Sequence, residues 1–79
     1  MIIKVLGGGC PKCKRLEADT RAVAEEMGLE PEFIKVKDMA EIMAYDVMST
    51  PALVIDEKVM CFGRIPEKTE IREWLEAAK

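Results

Sequence analysis

Ile2-Ile3-Lys4-Val5-Leu6-Gly7-Gly8-Gly9-Cys10-Pro11-Lys12-Cys13 is a short apolar run, three glycines and a paired cysteine motif in direct succession. Ile2 to Leu6 has the near-continuous apolar pattern of a buried strand. Gly7-Gly8-Gly9 breaks it and reads as a flexible strand-to-helix turn. From Pro11 onward a helical period takes over: Cys13, Leu16, Thr20, Val23 and Met27 fall on one face, with Glu17, Asp19, Arg21 and Glu25 outside it. Pro11 suits a first helical turn, where its missing N–H has no partner to lose, and Gly28 is a natural stop. Strand, glycine turn and helix together bring Cys10 to the point where a helix begins.

Working outward, Phe33 to Lys37 alternates as a second strand. Asp38 caps a following helix, with Glu41 three residues on to complete a capping box and Met39, Ile42 and Met43 as its apolar side. After Ser49-Thr50-Pro51 come two short runs, Ala52 to Ile55 and Lys58 to Phe62, joined by Asp56-Glu57 as a tight hairpin that Gly63 ends. Glu67 to Ala78 places Ile71, Trp74, Leu75 and Ala78 on one helical face. The order is β-α-β-α-β-β-α. It implies an α/β fold: a parallel pair joined by a right-handed crossover, an antiparallel hairpin, and helices on both faces of a four-stranded mixed sheet.

The chain has 79 residues, which is one domain (1–79) with a thin core. Its 49% hydrophobic and 34% charged residues exclude both a disordered and a membrane-spanning chain. The apolar run at Met1-Ile2-Ile3 is too short for an export signal or a membrane span. A formal charge of −3 argues against a nucleic-acid partner, because such binding leans on excess Lys and Arg. The absence of histidine removes Ser-His-Asp and Cys-His nucleophile pairs and every mixed Cys/His zinc site.

Cysteine is the informative residue. There are three, Cys10, Cys13 and Cys61, whereas a small secreted scaffold usually carries an even set. The expected setting is a reducing cytoplasm, where a close pair does chemistry or binds metal. Backbone N–H groups at a helix start carry the positive end of the dipole, and Lys12, Lys14 and Arg15 add charge. Such surroundings lower a thiol pKa from about 8.5 to about 3.5–7.5. Cys10 is therefore the candidate nucleophile, with Lys12 helping to tune it. Cys13, three residues along and on the apolar face, is placed to resolve a mixed disulfide. The same spacing also serves copper(I) or zinc, with Cys61 as a candidate third ligand, because soft thiolates suit both ions. Cys61 otherwise reads as a small buried apolar residue, with a regulatory thiol as the other alternative. Trp74 reads as a core anchor, the six methionines as packing without a binding stripe, and Tyr45 as packing near Thr50-Pro51. Arg64, beside Gly63, is a candidate for the partner-binding side.

Cys10-Pro11-Lys12-Cys13 after the first strand, Tyr45 to Ile55 with Ser49-Thr50-Pro51 at its centre, and Gly63 after the fourth strand resemble the thioredoxin superfamily. The short length is similar to the small thioredoxin/glutaredoxin-like redox-active disulfide proteins of archaea and bacteria, and the likeness covers essentially the whole chain. The resemblance implies a minimal thioredoxin fold in which Pro51 is cis and packs across from the Cys10–Cys13 pair. It further implies that Thr50 offers its backbone N–H and C=O to an extended partner segment. The implied activity is thiol–disulfide exchange by a cytoplasmic monomer with no cofactor. It would act on protein disulfide substrates and be recharged by an upstream reductase, with no membrane or nucleic-acid partner. A metal carrier and a non-catalytic docking domain are the alternatives. Thioredoxins carry an aromatic residue before the first cysteine, Gly-Pro between the two, and a buried acid six residues earlier. This chain has Gly9, Pro11-Lys12 and Lys4 there. Glutaredoxins usually place a tyrosine at the position of Lys12.

Overall fold

Seven elements run through the chain in a computed structural model that describes residues 1–7 and 11–79. They are β1 (Ile2–Leu6), α1 (Pro11–Glu26), β2 (Glu32–Val36), α2 (Met39–Ala44), β3 (Ala52–Ile55), β4 (Lys58–Phe62) and α3 (Lys68–Ala78). Gly8, Gly9 and Cys10 lie outside the described residues, and with them the expected seat of Cys10 at the helix start. The sheet has four strands in the order β2-β1-β3-β4, with β1 parallel to β2 and the other neighbours antiparallel. This is the mixed α/β sheet expected from the order of strand and helix patterns.

Both faces of the sheet are covered. Ile3, Val5, Leu53, Ile55 and Cys61 pack with Leu16, Val23 and Ala24 of α1 and with Ile71 and Leu75 of α3. On the other face Leu6, Val36, Ala52 and Val54 pack with Ile42 of α2 and with Tyr45 and Val47. Double coverage explains why all four residues of β3 are apolar and buried. Thr20, a hydroxyl in the buried stripe of α1, satisfies itself by donating to the Leu16 carbonyl at 2.7 Å. Gly28 (φ 71°) ends α1, and Leu29 N–H returns to the Ala24 carbonyl at 2.9 Å.

The hairpin turn is where expected. Asp56 and Glu57 both have positive φ (47° and 68°), the backbone a two-residue turn of the favoured hand requires. Asp56 also closes on β1: its N–H donates to the Ile2 carbonyl and its carboxylate accepts from Ile2 N–H, each at 2.8 Å. A bulge at Met60 shifts the register, so that Leu53 faces Cys61 while Val54 faces Val59. The extra residue lets Met60 and Cys61 both turn to the α1/α3 layer.

Two local expectations are corrected. β2 begins one residue earlier than the pattern Phe33 to Lys37, because its parallel partner β1 pairs residue for residue from Ile2–Glu32 to Leu6–Val36. Lys37 falls beyond that ladder. At α2, Asp38 caps by accepting from Ala40 N–H at 2.8 Å, and among the described hydrogen bonds no return bond from Glu41 closes a box. At the start of α3 the Glu70 carboxylate does reach back, accepting from Glu67 N–H at 3.3 Å. Among the described residues, no helix is long and apolar enough to cross a membrane.

Candidate functional site

The register of the sheet builds the site. Leu6 pairs with Ala52 across the antiparallel β1/β3 ladder, so Gly7, one residue on, comes level with Pro51, one residue back. Ala52 pairs with Phe62 across β3/β4, which brings Gly63 level with Pro51 from the other side, and Gly63 N–H donates to the Pro51 carbonyl at 2.9 Å. Pro51 is buried, Thr50 is exposed, and the peptide bond between them is cis. The Ser49-Thr50-Pro51 segment is thus held between two glycines.

Each glycine is there for a steric reason. A Cβ on Gly7 would collide with Cys13 Sγ, would crowd Cys13 Cβ at 3.3 Å, and would touch Thr50 Cβ at 3.8 Å. A Cβ on Gly63, whose φ is 76°, would run into Ser49 Oγ. The sulfur of Cys13, the end of β1 and the residue before Pro51 therefore meet at one point. Cys13 itself lies in the first turn of α1 and is only 5% exposed. The glycine run is more than a flexible turn: its first member is the seat of a buried thiol.

Lys12 projects from the first turn of α1 as an exposed cation with no acidic partner among the described residues. Lys4 turns away from the thiol onto the α2 face. Its ammonium lies 2.6 Å from Glu57 Oε1 and donates to the Tyr45 hydroxyl at 2.7 Å. The hydrogen bond to Glu57, then that to Tyr45, holds the Lys4 ammonium well above its ordinary pKa, and Lys4 in turn holds the Glu57 carboxyl below its own. Tyr45 is thereby corrected: its hydroxyl is committed to Lys4 and to the hairpin turn that follows β3, the opposite end of that strand from Pro51. Arg64 is committed as well, donating two bonds to the Glu70 carboxylate at 3.1 and 2.8 Å.

The methionines also depart from a pure packing role. Met39, Met43 and Met48 are 67%, 65% and 90% exposed, and they line a shared groove with Ile42, Val47 and Thr50. Helix α2 has only six residues and buries only Ile42, so Met39 and Met43, four apart, are left on its outer side. Trp74 is half-buried at the margin of the α1/α3 core rather than at its centre.

Cys61 lies in β4 opposite Leu53, where burial pushes its thiol pKa up. In a Cys10→Ser/Cys13→Ser variant the one remaining thiol should react with iodoacetamide at neutral pH at least about ten-fold more slowly than in concentrated guanidinium. Equal rates in the two solvents would mean that the strand does not shield it. Among the described residues, no three His, Cys, Asp or Glu side chains are grouped to hold a metal ion.

Residues 1–76 match the family model described as the thioredoxin domain. The chain belongs to the thioredoxin family. It is 35% identical over 77 residues to the thioredoxin of Methanocaldococcus jannaschii, an overlap of 98% of this chain and 88% of that one. It is also 35% identical over 75 residues to the thioredoxin of Methanothermobacter thermautotrophicus, covering 95% and 97% of the two chains. What sequence reading missed in this thioredoxin-family chain is Gly7 as the seat of Cys13, and a group of lysines around that thiol. The only signal for the former was a glycine immediately after a strand aimed at a helix start.

Proposed function

We propose that this thioredoxin-family protein reduces protein disulfides through a Cys10–Cys13 dithiol, as a cytoplasmic monomer without a cofactor, recharged by an upstream reductase. Family membership supports thiol–disulfide oxidoreductase chemistry in general. The observation that carries the finer assignment is the packing of Cys13 Sγ against Gly7 beside Thr50. A buried thiol lies next to the exposed residue that would hold a substrate strand.

In this reading the Cys10 thiolate attacks one sulfur of the substrate disulfide. The substrate S–S bond breaks, and the departing sulfur leaves as a thiolate that takes a proton from water. Cys13 gives up its proton to water, and its thiolate then attacks the Cys10 sulfur of the mixed disulfide; the second substrate sulfur leaves as a thiolate and is protonated by water. Two electrons pass to the substrate, and the protein is left with a Cys10–Cys13 disulfide. Burial suits Cys13 to the second step, since a bulky substrate reaches it poorly while Cys10 is three residues away in the chain. Lys12 and the positive end of the α1 dipole would favour the Cys10 thiolate.

Substrate binding falls to Thr50 and Pro51. Among the described residues neither the N–H nor the C=O of Thr50 enters a turn or loop hydrogen bond, which leaves both for an extended partner strand. The neighbouring groove of Met39, Met43 and Met48 offers an adaptable apolar contact for a polypeptide. The test is trapping. Cys13→Ser should accumulate a covalent complex with a disulfide-bonded protein that dithiothreitol releases, and Cys10→Ser should not. Wild-type rates of insulin-disulfide reduction in both variants would refute the assignment.

A further inference from the structure

The six methionines of the chain divide into two sets. Met1, Met27 and Met60 are partly buried and pack against the α1/α3 core. Met39, Met43 and Met48 are exposed and share one groove. The fold gathers this second set. Met39 and Met43, four residues apart, stand on the same side of α2. Beyond the helix, Asp46 takes a left-handed backbone (φ 59°) and its N–H donates to the Met43 carbonyl at 3.0 Å. That turn lets Val47 return to the core on the α2 face and leaves Met48 beside the helix, two residues before Thr50. Among the described residues no charged side chain lines the groove, and its polar members are Ser49 and Thr50.

Exposed thioethers are open to oxidation, whereas packed ones are shielded from the oxidant. We propose that Met39, Met43 and Met48 form a modification site, at which oxidation to the sulfoxide by hydrogen peroxide weakens the docking of polypeptide disulfides without disabling the cysteine pair. This rests on the dithiol and the polypeptide groove proposed above. In the step itself the thioether sulfur gives an electron pair to one peroxide oxygen. An S–O bond forms, the O–O bond breaks, and the departing oxygen leaves as water after proton transfer. The sulfur is oxidised by two electrons and the peroxide reduced by two. The product is polar and chiral. A groove that offered three flexible apolar ends then presents three S–O dipoles, which an apolar substrate side chain desolvates only at a cost. A small disulfide does not need the groove, so its reduction is spared. One oxidant thus acts on two sulfur chemistries with different lifetimes: thiols restore the cysteine pair, and a dedicated reductase restores the thioethers.

In the experiment the protein, with its cysteine pair oxidised to the disulfide, is treated with hydrogen peroxide, reduced with dithiothreitol and freed of reductant. Peptide mapping by mass spectrometry should show sulfoxide at Met39, Met43 and Met48 forming at least about five-fold faster than at Met27 and Met60. Single-turnover thiol release from excess insulin should then be at least about five-fold slower than before treatment, which corresponds to about 1 kcal/mol. Reduction of 2-hydroxyethyl disulfide should change less than about two-fold. Incubation with methionine sulfoxide reductases of both epimer specificities should restore the insulin rate. In Met39→Leu/Met43→Leu/Met48→Leu the ratio of insulin rates after and before treatment should stay close to one. Sulfoxide spread evenly over all the methionines, or an insulin rate unchanged with the three groove methionines oxidised, would overturn the proposal while leaving the dithiol reading intact. An equal loss of rate for insulin and the small disulfide would overturn it too, because the damage would then lie at the cysteines. No thiol release from insulin by untreated protein, together with no trapping by Cys13→Ser, would overturn both.

Discussion

Gly7→Ala should destabilise the protein by about 1–3 kcal/mol and slow disulfide reduction at least about ten-fold, which corresponds to about 1.4 kcal/mol of barrier. The added methyl group would occupy the space of Cys13 Sγ. A long side chain could swing its far end aside, but cysteine has a single rotor, and its Cβ lies only 3.3 Å from the new methyl group. Rotation about that bond can swing the sulfur out of its seat beside Gly7, but it leaves the Cβ crowded. Either the first turn of α1 retreats from the end of β1, or the contact between Cys13 and the Thr50 segment opens. Both displace the thiol that resolves the mixed disulfide. Urea unfolding reads the stability, and single-turnover release of a labelled substrate thiol reads the second chemical step. Gly28→Ala is the control: nothing lies within 4 Å of a Cβ there, and its φ of 71° alone makes alanine unfavourable. It should lose stability for backbone reasons while keeping the release rate. A Gly7→Ala protein with wild-type urea midpoint and release rate would show that the glycine is not the seat of Cys13.

Much of this architecture is legible without coordinates because its signals are local. The stop at Gly28, the turn at Asp56-Glu57 and the cap at Asp38 each depend on residues within one turn of chain, and all three are found where the pattern puts them. The candidate site is only half legible. Cys13 and Thr50-Pro51 stand out by residue type, but their meeting depends on sheet order and register, which join positions 7, 13, 50 and 63. The same applies to Lys4. Its presence where thioredoxins carry an acid is visible in the sequence, whereas its partner Glu57 becomes a neighbour only once β3 lies beside β1. The lysine-lined cavity beside Cys13 is another product of register, since Lys14 and Lys37 come together through parallel pairing of β1 with β2. The sequence does not mark Met39 and Met43 as exposed, because α2 is too short for its periodicity to distinguish an inner from an outer face.

Leu53→Ala should cause the largest loss of stability among simple truncations, about 2–5 kcal/mol. Leu53 is fully buried in β3, a strand hydrogen-bonded on both sides, and its side chain enters the layer shared with α1 and α3. A protein of this length has on the order of 4–12 kcal/mol to lose, so truncation here removes a large share of the total. The melting temperature should fall by at least about 10 °C, since each kcal/mol moves a domain of this size by about 4–8 °C. The strand leaves little room for repair: Ile3, Val5 and Ile55 on the same face are themselves fully packed, so the gap cannot be filled without disturbing the β1/β3 ladder that sets Gly7 level with Pro51. Phe62→Ala, on the neighbouring strand but 46% exposed, is the comparison and should lose far less. If both variants melt within about 3 °C of wild type, the two-layer core described for β3 is not what holds the sheet together.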